Sequence, residues 1–398
     1  MNRMNARFEA ISGPTQLLGA AGLRGQLPNM SDLSLAPIHT CLSLARQALF
    51  LSNPNPRVGC VLVAPDGRVI GQGSTQQAGG PHAEIMALRD AAAAGQDVRG
   101  ATAYATLEPC VHQGRTGPCC DALAAAGIAK VVASVADPNP LVAGQGFARL
   151  RAAGIKVEVG PGSAESRELN IGFFSRMIRG TPWVRLKSAA SLDGTTALLN
   201  GASQWITSPA ARAEGHAWRA RACAVLTGIG TVLDDNPRLD VREVPTPRQP
   251  HVVVVDSQLQ TPPDAHLFIA GRACYIYAAS QNDEKKAALE ARGATVVHLP
   301  NPQGKVDLQA MLRDLAQRGV NELHVEAGNK LNGSLVREGL VDEMLVYLAP
   351  TLLGPGLGMA NVGPFDALGQ GLAMDFITVE RVGPDIRILA RVRGRDIF

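Results

Sequence analysis

The sequence predicts a two-domain α/β protein, and three observations carry that prediction. Its 398 residues exceed what one ordinary hydrophobic core organises. Apolar residues alternate between strand-like and helix-like periods in two separate series along the chain. The stretch Gly160-Pro161-Gly162-Ser163 and an expected polar helix after it divide those series. The expected organisation is an extension over 1–31, a first domain over 32–172 and a second over 173–398.

In the first domain, apolar residues at 38, 41, 42, 44, 45, 48 and 49 recur at helical spacing, so 37–51 is expected to be a helix. Asn53-Pro54-Asn55-Pro56 ends it, because proline disfavours helical dihedrals in the residue before it. A hairpin is expected from 58–63 and 69–73 around Pro65-Asp66-Gly67. Helices over 82–94, 119–126 and 147–153 then alternate with strands over 101–106, 130–135 and 155–159. An antiparallel pair followed by β-α-β units implies a mixed sheet covered by helices. The second series runs through strands at 184–190, 224–227, 251–256, 275–278, 295–299, 322–326, 343–349, 376–382 and 386–392. Its expected helices are 209–221, 308–318 and 332–338.

Composition excludes more than it assigns. A net charge of +3 gives no basis for a nucleic-acid or membrane partner, and no apolar run approaches the ~20 residues a membrane helix needs. Seven cysteines, odd in number and irregularly spaced, do not read as a disulfide framework. A reducing compartment, the cytoplasm, is expected. Residues 1–31 are faintly transit-like, with Arg3, Arg7 and Arg24 against Glu9, but read better as a disordered tail.

The strongest chemical signal is Pro81-His82-Ala83-Glu84, then Pro109-Cys110, then Cys119. Zinc favours imidazole and thiolate ligands, and a catalytic site keeps a fourth position for water. His82, Cys110 and Cys119 supply three ligands. Glu84 falls beside that position as a proton carrier, the role zinc deaminases give a glutamate at this spacing. Inert thiols and a surface histidine are the competing reading, but the four residues come in the right order, with His82 and Cys119 at expected helix starts, which argues against it. Adjacent helix positions diverge by about 100°, so Cys120 is expected to pack away from the metal. Asn55 and Asn139 offer donor and acceptor together to a pyrimidine edge, or serve only as turn residues beside proline.

Eight residues separate the two cysteine ligands where most zinc deaminases have two. That long loop, Val111-His112-Gln113-Gly114-Arg115-Thr116-Gly117-Pro118, with Asn53–Cys60 and Asp137-Pro138-Asn139-Pro140, resembles the deaminase half of the bifunctional riboflavin-biosynthesis deaminase/reductase family. The family usually has Pro-Pro where this chain has Gly117-Pro118. The second domain lacks a Gly-x-Gly-x-x-Gly after its first strand, so the usual dinucleotide fingerprint is absent. A strand ending at Glu326, a Gly-bearing loop and a helix start could still offer free amides to a phosphate. Ser188–Gly194, Ser203–Thr207 and Thr231–Pro237 resemble the reductase half of the same family.

The resemblance covers nearly everything from Asp32 onward. It implies a cytidine-deaminase-like α/β/α domain with zinc and a dihydrofolate-reductase-like domain using NADPH. The implied reactions are deamination of 2,5-diamino-6-ribosylamino-4-pyrimidinone 5′-phosphate, then reduction of its ribosyl group to ribityl. Carried over by motif, Ala189, Trp205, Thr231, Asp235, Ser257, Gly328, Asn329, Lys330, Leu331, Asn332, Gly333 and Ser334 would face the cofactor. Lys187, Ser203, Arg219, Leu239, Arg242 and Glu326 would face the ribose phosphate, with Asp235 or Lys187 as proton donor. A small-molecule substrate and a possible homo-oligomer follow. The rival readings are a zinc nucleoside or RNA deaminase with a non-catalytic C-terminal domain, and a structural zinc module with a ligand sensor. The first lacks a basic stripe or aromatic platform. The second would need four protein ligands and no acid. The two activities are expected to separate near residues 160–180.

Overall fold

The computed structural model describes residues 30–111, 117–140 and 142–398. Of the expected tail over 1–31, residues 1–29 lie outside the described residues, as do the loop residues 112–116, while residues 30 and 31 open a helix. Ile38, Cys41, Leu42 and Ala45 form the buried stripe of α1 (Met30–Gln47), as their spacing requires, and buried Ala48 follows in the turn after it. The hairpin β1 (Gly59–Val63) and β2 (Val69–Ser74) follows, then α2 (Ala83–Ala93), β3 (Thr102–Ala105), α3 (Cys119–Ala125) and β4 (Lys130–Ala133). α4 (Gln145–Ala152) and β5 (Lys156–Val159) complete a sheet of order β2-β1-β3-β4-β5. β1 is antiparallel to β2 and β3, whereas β3, β4 and β5 are parallel, as the β-α-β pattern predicted.

The expected polar helix of the connection is present as α5 (Ser163–Leu169), and a second helix, α6 (Ile171–Arg179), follows it. α6 is amphipathic, and its Phe173 and Phe174 are buried in the core of the first sheet. The expected 172/173 boundary therefore falls inside a helix, and Gly180, in the left-handed region, ends that helix.

The second sheet has nine strands in the order β11-β10-β9-β8-β12-β6-β13-β16-β15. The elements of this half in chain order are β6 (Trp183–Ser191), β7 (Thr195–Leu198), α7 (Pro209–Arg221), β8 (Ala224–Gly228), α8 (Ile229–Asp235), β9 (His251–Val255), β10 (Cys274–Ala278), α9 (Asp283–Glu290), β11 (Ala294–His298), α10 (Leu308–Gln317), β12 (Glu322–Val325), α11 (Asn329–Arg337), β13 (Glu343–Ala349), β14 (Gly356–Gly358), β15 (Met374–Val382) and β16 (Asp385–Val392). β7 and β14 form a separate pair. The strands from β11 to β13 are parallel, and those inside the β11 edge are mostly buried, so they read as continuous runs such as His251-Val252-Val253-Val254-Val255. β16 and β15 close one edge antiparallel.

The two halves share a buried ionic junction. Arg57, just before β1, donates to Glu322 at 2.6 Å and to the Leu169 carbonyl at 2.8 Å. Glu322 opens β12 and also accepts from Arg185 at 3.0 Å and Arg221 at 2.8 Å. Arg185 continues to Glu343 at 2.5 Å, Glu343 accepts from Arg391 at 3.0 Å, and Arg391 returns to Glu168 on α5 at 2.9 Å. Asn53 donates to the Arg221 carbonyl at 2.9 Å. The chain of charges thus leaves the first half, crosses the second sheet and returns. Separation near 160–180 would cut through it.

Burial alone would raise the Glu322 pKa, but Arg221, Arg57 and Arg185 outweigh it and hold the carboxyl well below the usual range. A depressed carboxyl stabilises the fold above its unfolded pKa and loses that contribution as pH falls towards the folded value. Acid unfolding should therefore begin below about pH 4.3, the ordinary glutamate value. Glu322→Gln should lower stability at pH 7 by about 3–5 kcal/mol, the cost of breaking a buried pair from one side. The same variant should show a shallower fall in melting temperature below that pH. Thermal melts from pH 7 to 3 check both.

Candidate active sites

Three parts of the first domain converge on one small cavity. His82 is the N-cap of α2, with extended dihedrals of −76° and 166°, so its ring projects off the helix start. Cys119 is the first residue of α3, and Cys110 ends the stretch after β3. His82 Nδ1 lies 3.5 Å from each of the two sulphurs, and the three ligand atoms lie within 4.8 Å of one another. Tetrahedral zinc with its usual bond lengths places nitrogen and sulphur ~3.6 Å apart, so the donor set fits that ion. Two helix N-termini meet here and favour thiolate. The Cys119 amide also donates to the Cys110 sulphur at 3.4 Å.

The two thiols titrate as a unit. Donation from Cys119, above all, lowers Cys110 to about 4, and the reciprocal contact followed by burial raises Cys119. One thiolate forms readily, and the second proton leaves when a cation takes its place. The hydrogen bond with Cys110 raises the His82 pKa. Glu84, in the first turn of α2, is buried, and burial raises the pKa of its carboxyl. Cys120 is buried in the core and donates to the Pro109 carbonyl at 3.1 Å.

The cavity, about 170 Å³, is lined by His82, Glu84, Cys110, Asn55 and Asn139, which the sequence brought forward. It is also lined by Asp137, from the quoted Asp137–Pro140 motif, and by Glu108 and Arg176, which the sequence did not bring forward. Glu108 accepts backbone N–H groups of Asp137, Gly144 and Phe147 at 3.0–3.1 Å and so holds the Asp137–Asn139 turn over the cavity. Burial pushes the Asp137 carboxyl up to about 7.

The second half opens into two adjoining cavities of about 630 and 380 Å³. Lys187, Trp205, Thr231, Asp235 and Glu326 line both. Arg219, Leu239 and Arg242 line the larger, and Ala189, Ser203, Gly328, Asn329 and Asn332 the smaller. Neither set of lining residues includes Ser257, whose hydroxyl instead accepts the Val306 amide. The expected 328–334 loop is mostly helix, because α11 begins at Asn329 rather than Asn332. Lys330, Leu331, Gly333 and Ser334 consequently do not line the cleft. Gly333 instead lets α11 approach Asn361, whose carbonyl oxygen would lie 2.1 Å from a Cβ there. Gln204 and Arg212 line both cavities and were missed; Arg212 stacks over Trp205 at 4.6 Å.

The two expected phosphate arginines already have partners. Arg219 binds Glu326 through a fork at 2.5 and 2.9 Å, and Arg242 pairs with Asp240 at 2.8 Å. Burial lowers the Lys187 pKa against the pull of Glu326, and burial raises that of Asp235. His324, beneath Glu326 at 3.5 Å, is pushed down to about 3 by burial and is neutral at working pH.

A zinc-deaminase fold joined to a parallel-sheet reductase fold defines the class. Residues 34–135 match the cytidine and deoxycytidylate deaminase zinc-binding region, and residues 182–388, over half the chain, match the RibD C-terminal domain. The riboflavin biosynthesis protein RibD of Escherichia coli is 44% identical over 87% of this chain and 95% of its own length. That of Aquifex aeolicus is 40% identical, with the same coverage of both. The solved RibD structure from Acinetobacter baumannii superposes with a TM-score of 0.82 at 39% identity, covering 90% of this chain and 98% of that one. The Thermotoga maritima deaminase/reductase gives 0.79 at 31% identity, covering 90% and 99%. The chain belongs to the RibD family, the bifunctional zinc-dependent deaminases and NADPH-dependent reductases of riboflavin biosynthesis.

If Cys119 is a ligand and Cys120 is not, Cys119→Ser should lose most bound zinc while Cys120→Ser retains it. Metal analysis of the two purified variants decides the assignment.

Proposed function

We propose that the first half deaminates 2,5-diamino-6-ribosylamino-4-pyrimidinone 5′-phosphate and the second reduces the ribosyl group of its product to ribityl. The observation that carries the deaminase reading is His82 Nδ1 at 3.5 Å from both cysteine sulphurs, with buried Glu84 lining the same cavity. His82, Cys110 and Cys119 hold zinc. Bound zinc supplies a water acidified to near neutral pH, and bound NADPH supplies a hydride.

Glu84 takes a proton from the attacking water as its oxygen adds to the amino-bearing ring carbon. It gives that proton to the ring nitrogen, then moves the remaining hydroxyl proton to the amine, so that the C–N bond breaks, ammonia leaves and the carbonyl forms. Asn55 and Asn139 orient the pyrimidine edge. In the second half, Trp205, Thr231, Asn329 and Asn332 line the side of the cleft where the nicotinamide cofactor would lie. Lys187 and Glu326 lie where both cavities meet. Reduction takes a hydride at C1′ of the ring-opened imine and a proton at its nitrogen. Lys187 and Asp235 line both cavities and carry exchangeable protons, so the proton comes from one of these two.

The junction between the halves falls at 180–182, supported by the end of α6 and by the family match beginning at residue 182. The enzyme works in the cytoplasm. Among the described residues no helix is long and apolar enough to cross a membrane. Self-association through the β15 edge is supported by exposed Phe376 and Val379 on that strand.

Glu84→Gln removes the proton carrier and none of the three ligands. It should keep its zinc and lose about 10²- to 10⁴-fold in ammonia release. Near wild-type release by the zinc-loaded variant would remove Glu84 from the mechanism.

A further inference from the structure

Apart from His82, the deaminase cavity has one basic residue among its described lining, Arg176 on α6. Its guanidinium lies 5.9 Å from the centre of the Phe173 ring, and Nε donates to Asn321 Oδ1 at 2.5 Å. Asn321 belongs to the other half, immediately before β12, where its carbonyl accepts the Trp183 amide at 2.8 Å. Its side-chain amide donates to the Pro54 carbonyl at 2.8 Å. Pro54 and Arg176 both line the deaminase cavity, so one reductase-half side chain grips two parts of its wall. The approach is close enough to require Gly172. A Cβ there would lie 2.5 Å from Glu322 Cγ and 2.6 Å from the Asn321 carbonyl oxygen.

Arg176 differs from the arginines of the second cleft. Arg219 and Arg242 are paired with carboxylates, whereas no carboxylate among the described residues forms an ion pair with Arg176. Asn321 occupies Nε, which leaves the terminal nitrogens of a partly exposed guanidinium for an anion. The cavity is smaller than the ~300–1,000 Å³ that encloses a drug-sized ligand. A pyrimidine ring would sit inside it, with its sugar phosphate extending to the rim.

We infer that Arg176 binds the 5′-phosphate of the deaminase substrate and that Asn321 is its positioning residue, contributed by the reductase half. The inference rests on the deaminase reading above. The guanidinium supplies charge and a planar donor pair; Asn321 fixes its rotation.

The test compares ammonia release by full-length, zinc-loaded enzyme from the phosphorylated pyrimidine ribosylamine and from its dephosphorylated form. Arg176→Gln should raise KM for the phosphorylated substrate about 10- to 100-fold, as expected for loss of a charge-assisted hydrogen bond. Its kcat should stay within about twofold, and kcat/KM for the dephosphorylated form should not move. Arg176→Lys should recover part of the loss, and Asn321→Ala should shift KM the same way by a smaller factor. Unchanged KM for the phosphorylated substrate in Arg176→Gln, or equal losses on both substrates, would overturn the assignment. An Asn321→Ala enzyme identical to wild type would overturn the positioning role. Wild-type enzyme that releases no ammonia from either substrate would refute the deaminase reading itself, and this inference with it.

Discussion

Glu322 is the constraint on which the arrangement of the two halves depends. A carboxylate taken out of water must be matched by charge and hydrogen bonds or it destabilises the fold by several kcal/mol. Here three guanidinium groups meet it, from the loop before β1, from β6 and from the end of α7. Trp218 is flanked by two of them, with Arg185 at 4.6 Å and Arg221 at 5.4 Å from its ring. Satisfying one buried charge thereby fixes the position of the deaminase loop 53–57 against the central strand of the reductase sheet. The same strand runs on to His324 and Glu326 at the reductase cleft.

The two sites solve different problems with different chemistry. The deaminase site is small, and its polar groups are organised around an expected cation: two thiols and an imidazole converge, and the pair of thiols releases its second proton to that cation. The reductase cleft is large and holds its charges against one another, as Glu326 does with Arg219 and Lys187. Such internal pairing keeps the cleft ordered before ligands arrive. It also means that an incoming phosphate competes with Glu326 for the Arg219 fork.

Much of this was legible in the sequence, for physical reasons. The metal residues stand out because zinc demands rare side chains at helix starts, and buried parallel strands announce themselves as runs such as Val252-Val253-Val254. α9, with its sequence Asp283-Glu284-Lys285-Lys286, was missed because it is polar and mostly exposed, with only Leu289 buried. The 328–334 segment read as a loop because Asn332 and Gly333 favour turns, yet both are buried in α11, Gly333 by contact with Asn361. The junction was invisible for another reason. Arg57 and Glu322 are 265 positions apart, and nothing local to either distinguishes a buried partner from a solvated surface charge. Arg176 was hidden in the same way, since its partner Asn321 is 145 positions away.

The charge chain through Glu322 and the packing of α6 and Phe398 against the first core should join the halves into one cooperative unit. Differential scanning calorimetry of the full-length, zinc-loaded chain at neutral pH tests it most directly, with both activities followed through the same temperature range. A single transition is expected, in which ammonia release and ribosyl reduction are lost together. Two well-separated transitions, with one activity surviving the first, would contradict it.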